Sequence, residues 1–235
     1  MAEVNPDYTP TVSAEQIERI RHWHEDAYTR RQSEMPAVRT FDYLGLTLTV
    51  PPEVQPIASV SHLLGEAVLA EVTPDDRVLD MGTGCGVNAI LAASTATRVL
   101  AVDNNPVALG AARRNAEANG VAGRVEIRHS DVFSNVDGEF DLIIFDPPFR
   151  WFAPRDLRET ATTDHNYRAM TTFFHQVPRY LRPTGRMLIF FGTSGDLGHL
   201  RRLADQQHFR TEIVAHEDLA KHGWRVDYYT FRMTR

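Results

Sequence analysis

The chain has one cysteine, Cys85, in 235 residues. A single thiol excludes an internal disulfide framework and any cysteine-rich metal site, and it fits a reducing compartment. Lysine is equally scarce: Lys221 is the only one, so nearly all the positive charge is arginine. No apolar run reaches the roughly 18 residues needed to cross a bilayer, and the start, MAEVNPDYTP, lacks a basic region followed by an apolar stretch. The expectation is a soluble cytoplasmic protein. There is also no excess of positive charge: Lys+Arg of 25 against Asp+Glu of 31 gives a formal charge of -6. That balance argues against a strongly basic nucleic-acid surface while leaving room for a local patch. The ten histidines are scattered. The closest pair, His22 and His24, has no carboxylates in a metalloprotease arrangement and reads as exposed on a helix, so no metal is expected.

What is present changes in texture along the chain. After a loose polar start over 1–12, the run SAEQIERIRHWHEDAYTRRQSE places Ile17, Ile20, Trp23 and Tyr28 at helical intervals, with Ser13 and Gln16 as a capping box. TFDYLGLTLTV, 40–50, alternates around Gly45 as a strand or hairpin, Pro51 and Pro52 end it, and 59–72 reads as a second helix. Short runs rich in branched residues follow at 77–82, 97–103, 124–130, 141–146 and 186–192. They are apolar on both faces, as strands covered on both sides are. Between them lie VNAILAAS, PVALGAARRNAEANG with its stop at Gly120, and YRAMTTFFHQVPRYLRP ahead of a turn at Thr184 and Gly185. FRTEIVAHE and WRVDYYTFRM, joined by a polar AKHG link, complete seven strand candidates. The fold class is therefore an open α/β sheet. Residues 150–166 form the longest stretch without periodicity, a length usual for a lid or binding loop.

The strongest site signal is VLDMGTGCGVNAI, in which Asp80 ends a strand and Gly82, Gly84 and Gly86 alternate before a helix. Glycines allow a tight turn and a close approach of backbone to a ligand whose charged groups meet the helix start. Asp103 ends the next strand, where a carboxylate can accept both hydroxyls of a ribose. Asp131 follows the third, placed to take an adenine amino group while the Val132 amide addresses a ring nitrogen. Three aspartates at consecutive strand ends, on the edge where open sheets bind ligands, indicate an adenosine-containing ligand.

The order DMGTGCG, AVDNNP, SDVF and DPPF resembles the class I S-adenosylmethionine-dependent methyltransferases, in detail over 59–192. The resemblance implies a Rossmann-like seven-stranded sheet of order 3-2-1-4-5-7-6, helices on both faces and the last strand antiparallel. It divides the chain into an N-terminal helix and hairpin region, 1–58, and a methyltransferase domain, 59–235. Asp80, Gly82, Thr83, Gly84 and Gly86 would hold the methionine portion of S-adenosyl-L-methionine, Asp103 and Asn104 the ribose, and Asp131 with Val132 the adenine. Asp146 would border both cofactor and acceptor.

Within that superfamily, Asp146-Pro147-Pro148-Phe149 is similar to the motif of enzymes that methylate a nitrogen on a planar group. A delocalised nitrogen is a poor nucleophile. The Asp146 carboxylate and the Pro147 carbonyl can accept its two N–H bonds, the two prolines fix that carbonyl, and Phe149 offers a ring to lie against. Two subfamilies compete for the acceptor. The layout resembles release factor glutamine methyltransferases, although Gln55-Pro56-Ile57-Ala58-Ser59 stands where that group has Pro-Arg-Pro-Glu-Thr-Glu, and Asp146 where it has asparagine. Aspartate at that place also occurs in enzymes acting on RNA or DNA bases, with Arg30, Arg31, Arg150, Arg155 and Arg158 as local phosphate candidates, or else solvated arginines paired with neighbouring acids. A small planar amine as acceptor, and a non-catalytic cofactor-binding partner protein, are the remaining readings. Trp151 and Phe152 are expected either to extend the pocket wall or to belong to a loop that shields the site from solvent.

Overall fold

The computed structural model describes residues 8–33, 37–221 and 224–235. The first seven residues of the polar start and the end of the AKHG link lie outside them. Helix α1, Ala14–Ser33, begins where the Gln16 N–H donates to Ser13 Oγ at 3.2 Å, one half of the expected capping box. Strands β1, Arg39–Tyr43, and β2, Leu46–Val50, pair as a hairpin through Leu44 and Gly45, both at positive φ (46° and 81°). A two-residue turn of that hand matches the twist of the strands it joins. Helix α2, His62–Glu71, leads into the sheet.

Strands β3 Arg77–Met81, β4 Arg98–Asp103, β5 Val125–His129, β6 Phe140–Phe145, β7 Leu181–Gly192, β8 Arg210–Lys221 and β9 Trp224–Thr234 form one sheet of order β5-β4-β3-β6-β7-β9-β8. The first five are parallel neighbours, and β9 runs antiparallel to both β7 and β8. This is the expected seven-stranded order with the last strand reversed. Alternation along each strand feeds two cores. Leu79, Met81, Ile143, Met187 and Phe191 face α5 Arg168–Gln176 and α6 Leu197–Gln206, while Val78, Ala101, Leu142 and Leu188 face α2 and α3 Val87–Ala93. Helix α4, Pro106–Ala118, packs beside α3 and is capped by the Asn105 side chain, which accepts from the Val107 N–H at 2.9 Å. No helix among the described residues is long and apolar enough to cross a membrane.

Three expectations need correction. Thr184 and Gly185 do not form a turn ahead of a strand: β7 already begins at Leu181. Leu181 pairs with Phe140 and Arg186 with Leu142, so the extra residues bulge out within the strand. Helix α6 was not anticipated, although Leu197, Leu200 and Leu203 recur at helical spacing. His24 is not exposed. It is buried, with Nε2 3.0 Å from Glu159 Oε1, while His22 is open to solvent beside Asp26.

Asparagines dock the hairpin. Asn115 of α4, also buried, accepts from the Thr49 N–H at 2.9 Å and donates to the Thr49 and Cys85 carbonyls at 3.0 and 2.8 Å. One turn on, Asn119 repeats the pattern with both backbone groups of Thr47, at 3.2 and 3.0 Å. The two side chains act as a surrogate strand edge for β2, and Asn105 Nδ2 reaches the Glu53 carbonyl at 3.1 Å. The segment 51–56 is thereby held over the turn between β3 and α3.

Candidate active site

Residues 82–86 form that turn, with Gly82, Gly84 and Gly86 at φ of 68°, 56° and 88°. A side chain is disfavoured at each by backbone geometry. At Gly86 a Cβ would also lie 3.0 Å from Ala112, so this glycine lets α3 and α4 meet. At Gly82 and Gly84 a Cβ would stand in ordinary contact with Phe145 and Val54, at 3.9 and 3.8 Å, so backbone conformation rather than crowding is what favours glycine there. Asp80 beneath the turn is 1% exposed; its Oδ2 accepts from the Thr83 hydroxyl at 2.5 Å and the Ala89 N–H at 3.0 Å. Burial outweighs those bonds and pushes its pKa up to about 7.

Asp103, at the end of β4, accepts the Gly84 N–H through Oδ2 at 2.9 Å and the Asn105 N–H through Oδ1 at 2.8 Å. Each oxygen keeps a further lone pair. Burial raises the Asp103 pKa despite these bonds. After β5, Asp131 pairs with Arg168 at 3.1 Å, and Val132 sits at φ 50°, a rare conformation for a β-branched residue. The Val132 N–H has no hydrogen-bond partner among the described residues. An orphan donor in a held, strained turn is what an adenine ring nitrogen would need, so the residues present fit the cofactor that the sequence implies. Asn104, expected beside the ribose, is exposed next to Asp103.

Asp146 follows directly on β6. Its side chain reaches solvent, with protein crowding it on the remaining sides. That crowding and the neighbouring Asp80 charge push its pKa up, while the access of water damps the shift. Neither its carboxylate nor the Pro147 carbonyl has a hydrogen-bond partner among the described residues. Pro147 is buried and Pro148 half-buried. The half-buried Phe149 ring packs 4.8 Å from Phe191 and 5.6 Å from Phe190.

Several residues behind this motif escaped the sequence reading. The Tyr167 hydroxyl donates to the Phe149 carbonyl at 2.5 Å and accepts the Asp196 N–H at 2.8 Å. Asp196 is fully buried and caps α6 through the His199 N–H at 3.0 Å. It also binds the Tyr8 hydroxyl at 3.0 Å, the Thr11 N–H at 2.7 Å and the Thr11 hydroxyl, tying the start of the chain to the motif. Tyr43, at the hairpin tip, has its pKa raised by burial, then by the Glu66 and Asp146 charges.

The stretch 150–166 is tethered rather than detached. Glu159, 2% exposed, takes the Arg155 guanidinium and contacts His24. Burial works against its charge, yet Arg155 holds its carboxyl below the usual range. Burial and then the Arg150 charge push the His24 pKa down, and its Nε2 stands 3.0 Å from Glu159 Oε1 and 3.4 Å from Arg155 Nη2. Arg155 also pairs with Glu25 at 2.8 Å, as a solvated arginine beside acids would. Trp151 is buried against Tyr8 and Tyr167, and Phe152 packs on His24. Both rings therefore join the loop to α1 and the N-terminal segment. Among the described residues no group of three or more His, Cys, Asp or Glu side chains could hold a metal.

An open sheet with a glycine turn and aspartates along its carboxyl edge defines a Rossmann-like, nucleoside-binding class of protein. The chain belongs to the methyltransferase small domain family, whose model matches residues 57–215. A candidate protein N5-glutamine methyltransferase of Methanocaldococcus jannaschii is 33% identical over 199 residues, covering 77% of this chain and 97% of that protein. Ribosomal RNA small subunit methyltransferase C of Chromohalobacter salexigens is 31% identical over 185 residues, 72% of this chain and 51% of that protein. The chain spans between 27% and 50% of the length of the first two curated relatives it matches. Among solved structures, Methanocaldococcus jannaschii Trm5 in complex with adenosine aligns with a TM-score of 0.63 at 17% identity, over 86% of this chain and 57% of that one. This is a likeness of fold.

Proposed function

We propose that the protein is an S-adenosylmethionine-dependent N-methyltransferase acting on the nitrogen of a planar amide or amine, of a protein glutamine or of an RNA or DNA base. The observation that carries this reading is the pair of unpartnered acceptors at the end of β6. The Asp146 carboxylate is open to solvent and the Pro147 carbonyl follows it, ahead of an aromatic ring, with no protein donor satisfying either among the described residues. Polar groups at a site floor that lack partners in the protein are suited to partners on a ligand. An NH2 group on a planar carbon supplies two donors for these two acceptors and a face for Phe149.

The cofactor supplies an electrophilic methyl group. The chain's residues do the rest. Asp103 and the Val132 amide orient the nucleoside, and the glycine turn admits the methionine end. Asp146 and Pro147 hold the two N–H bonds so that the nitrogen lone pair points at the methyl carbon, and they stabilise positive charge as it develops. Asp146, with its raised pKa, is then the base for the proton that the nitrogen gives up. The relatives named for glutamine and for ribosomal RNA support a nitrogen acceptor in translation, and the 1–58 and 59–235 division remains part of this proposal.

Incubation with methyl-labelled S-adenosylmethionine and fractionated protein, RNA and metabolite pools tests the reading, with Asp146→Ala as control. Label in the protein or RNA pool, lost in the variant, is expected. Label confined to metabolites would replace the macromolecular acceptor by a small planar amine. No label in any pool despite cofactor binding would leave a non-catalytic cofactor-binding protein.

A further inference from the structure

A charged side chain without a counter-charge lies directly after the DPPF motif. Arg150 is 8% exposed, its Nε is buried with no hydrogen-bond partner, and no ion pair to it exists among the described residues. Its guanidinium lies 4.8 Å over the Trp23 ring of α1. Its backbone is fixed, donating to the Thr162 carbonyl at 3.2 Å and accepting the Asp164 N–H at 2.8 Å. A buried guanidinium ordinarily recruits a carboxylate. The acid in this neighbourhood, Glu159, is already engaged by Arg155 and His24.

Trp23 and Arg31 are eight residues apart on α1 and share a face. Arg31 lines an open cleft of about 70 Å³ together with Arg39, Arg158, Pro51, Pro52 and Gln55. Arg158 Nε donates to the Pro52 carbonyl at 3.0 Å and Arg31 to the Gln55 side chain at 3.1 Å, which orients both forks. Val54, from the same wall, lies against the Gly84 turn, so the cleft borders the glycine turn.

We propose that Arg150, Arg31, Arg39 and Arg158 form a phosphate-binding site for the methyl acceptor, which is therefore a nucleic-acid strand with one base entering beside Asp146. This rests on the N-methyltransferase reading. Planar guanidinium forks match phosphate, and a nucleotide joins that anion to a flat ring able to cover Phe149 and to an NH2 group for Asp146.

The test is fluorescence anisotropy with labelled 12-nucleotide single strands of RNA and of DNA, inorganic phosphate as competitor, and polyglutamate as the acidic-peptide alternative. Cofactor binding is followed by calorimetry on the same samples. Arg158→Gln and Arg31→Gln are each expected to weaken strand binding at least fivefold and to lower the slope of log K against log salt by about one, with cofactor binding unchanged. Arg150→Gln is expected to lose most; its melting temperature is measured alongside, and Arg158→Gln decides the matter if Arg150→Gln unfolds. Preference for RNA over DNA, or the reverse, names the strand. Equal strand binding by wild type and Arg158→Gln would overturn the proposal, as would binding of polyglutamate without nucleic acid. Arginine-dependent strand binding without cofactor binding would retain the phosphate site and remove the methyltransferase reading instead.

Discussion

The chemistry turns on carboxylates that the fold holds away from their ordinary state. Asp80 has a pKa of about 7 where a free aspartate has 3.8, because burial outweighs its two hydrogen bonds. A carboxyl raised in the folded state binds its proton more tightly folded than unfolded. Its contribution to stability is fully present below about pH 4 and is lost as pH rises towards 7. Asp80→Asn keeps an oxygen for Thr83 and Ala89, and denaturant titrations across that window should show a flatter pH dependence than wild type. For Asp146 the sign is the same and the functional consequence is opposite. The ionised form is the acceptor, so the transfer rate should climb with pH through its raised pKa, and that limb should vanish in Asp146→Asn. A rate independent of pH in wild type would remove Asp146 from the role of charged acceptor. Aspartates 80, 103, 131 and 146 were legible in the sequence because each stands at a strand end, where a short apolar run announces its position. Tyr43, Tyr167 and Asp196 were not, because their place near the motif depends on contacts between distant parts of the chain.

At the scale of elements, the motif is a strand end braced from behind. Tyr167→Phe removes the hydroxyl shared by the Phe149 carbonyl and the Asp196 amide. Leaving such buried groups unpaired should cost about 1–3 kcal/mol in chemical denaturation. The hairpin depends equally on α4. Asn115→Ala strips β2 and Cys85 of their partners, and a loss of about 1–3 kcal/mol is expected there too, with faster proteolysis in the hairpin as its signature. Sequence periodicity showed the hairpin and the helix beneath it but could not show that asparagine side chains join them. The same limit applies to His24 and Glu159, whose burial comes from a long loop folding against α1. Conversely, the bulge in β7 hid behind Thr184 and Gly185, residues that favour a turn wherever pairing does not override them.

For the whole molecule, the sheet order follows from how each strand is covered. Strands apolar on both faces belong inside, and the aromatic β9 is inserted between β7 and the edge strand β8. This places the glycine turn, Asp103, Asp131 and the DPPF motif on one edge, although they span residues 80–149 of the chain. A ligand bridging them should couple those elements. S-adenosylmethionine at about a hundredfold excess over its Kd should stabilise the fold by about 2.7 kcal/mol, read as a rise in melting temperature that Asp103→Ala largely abolishes. The central claim, that this edge presents a planar nitrogen to a bound methyl donor, is tested most directly on Asp146→Ala. Cofactor affinity and labelled-methyl transfer are measured side by side, using the fraction that wild type labels. Affinity within tenfold of wild type, with transfer reduced by about 10²–10³, is the result the account predicts; transfer at the wild-type rate would contradict it.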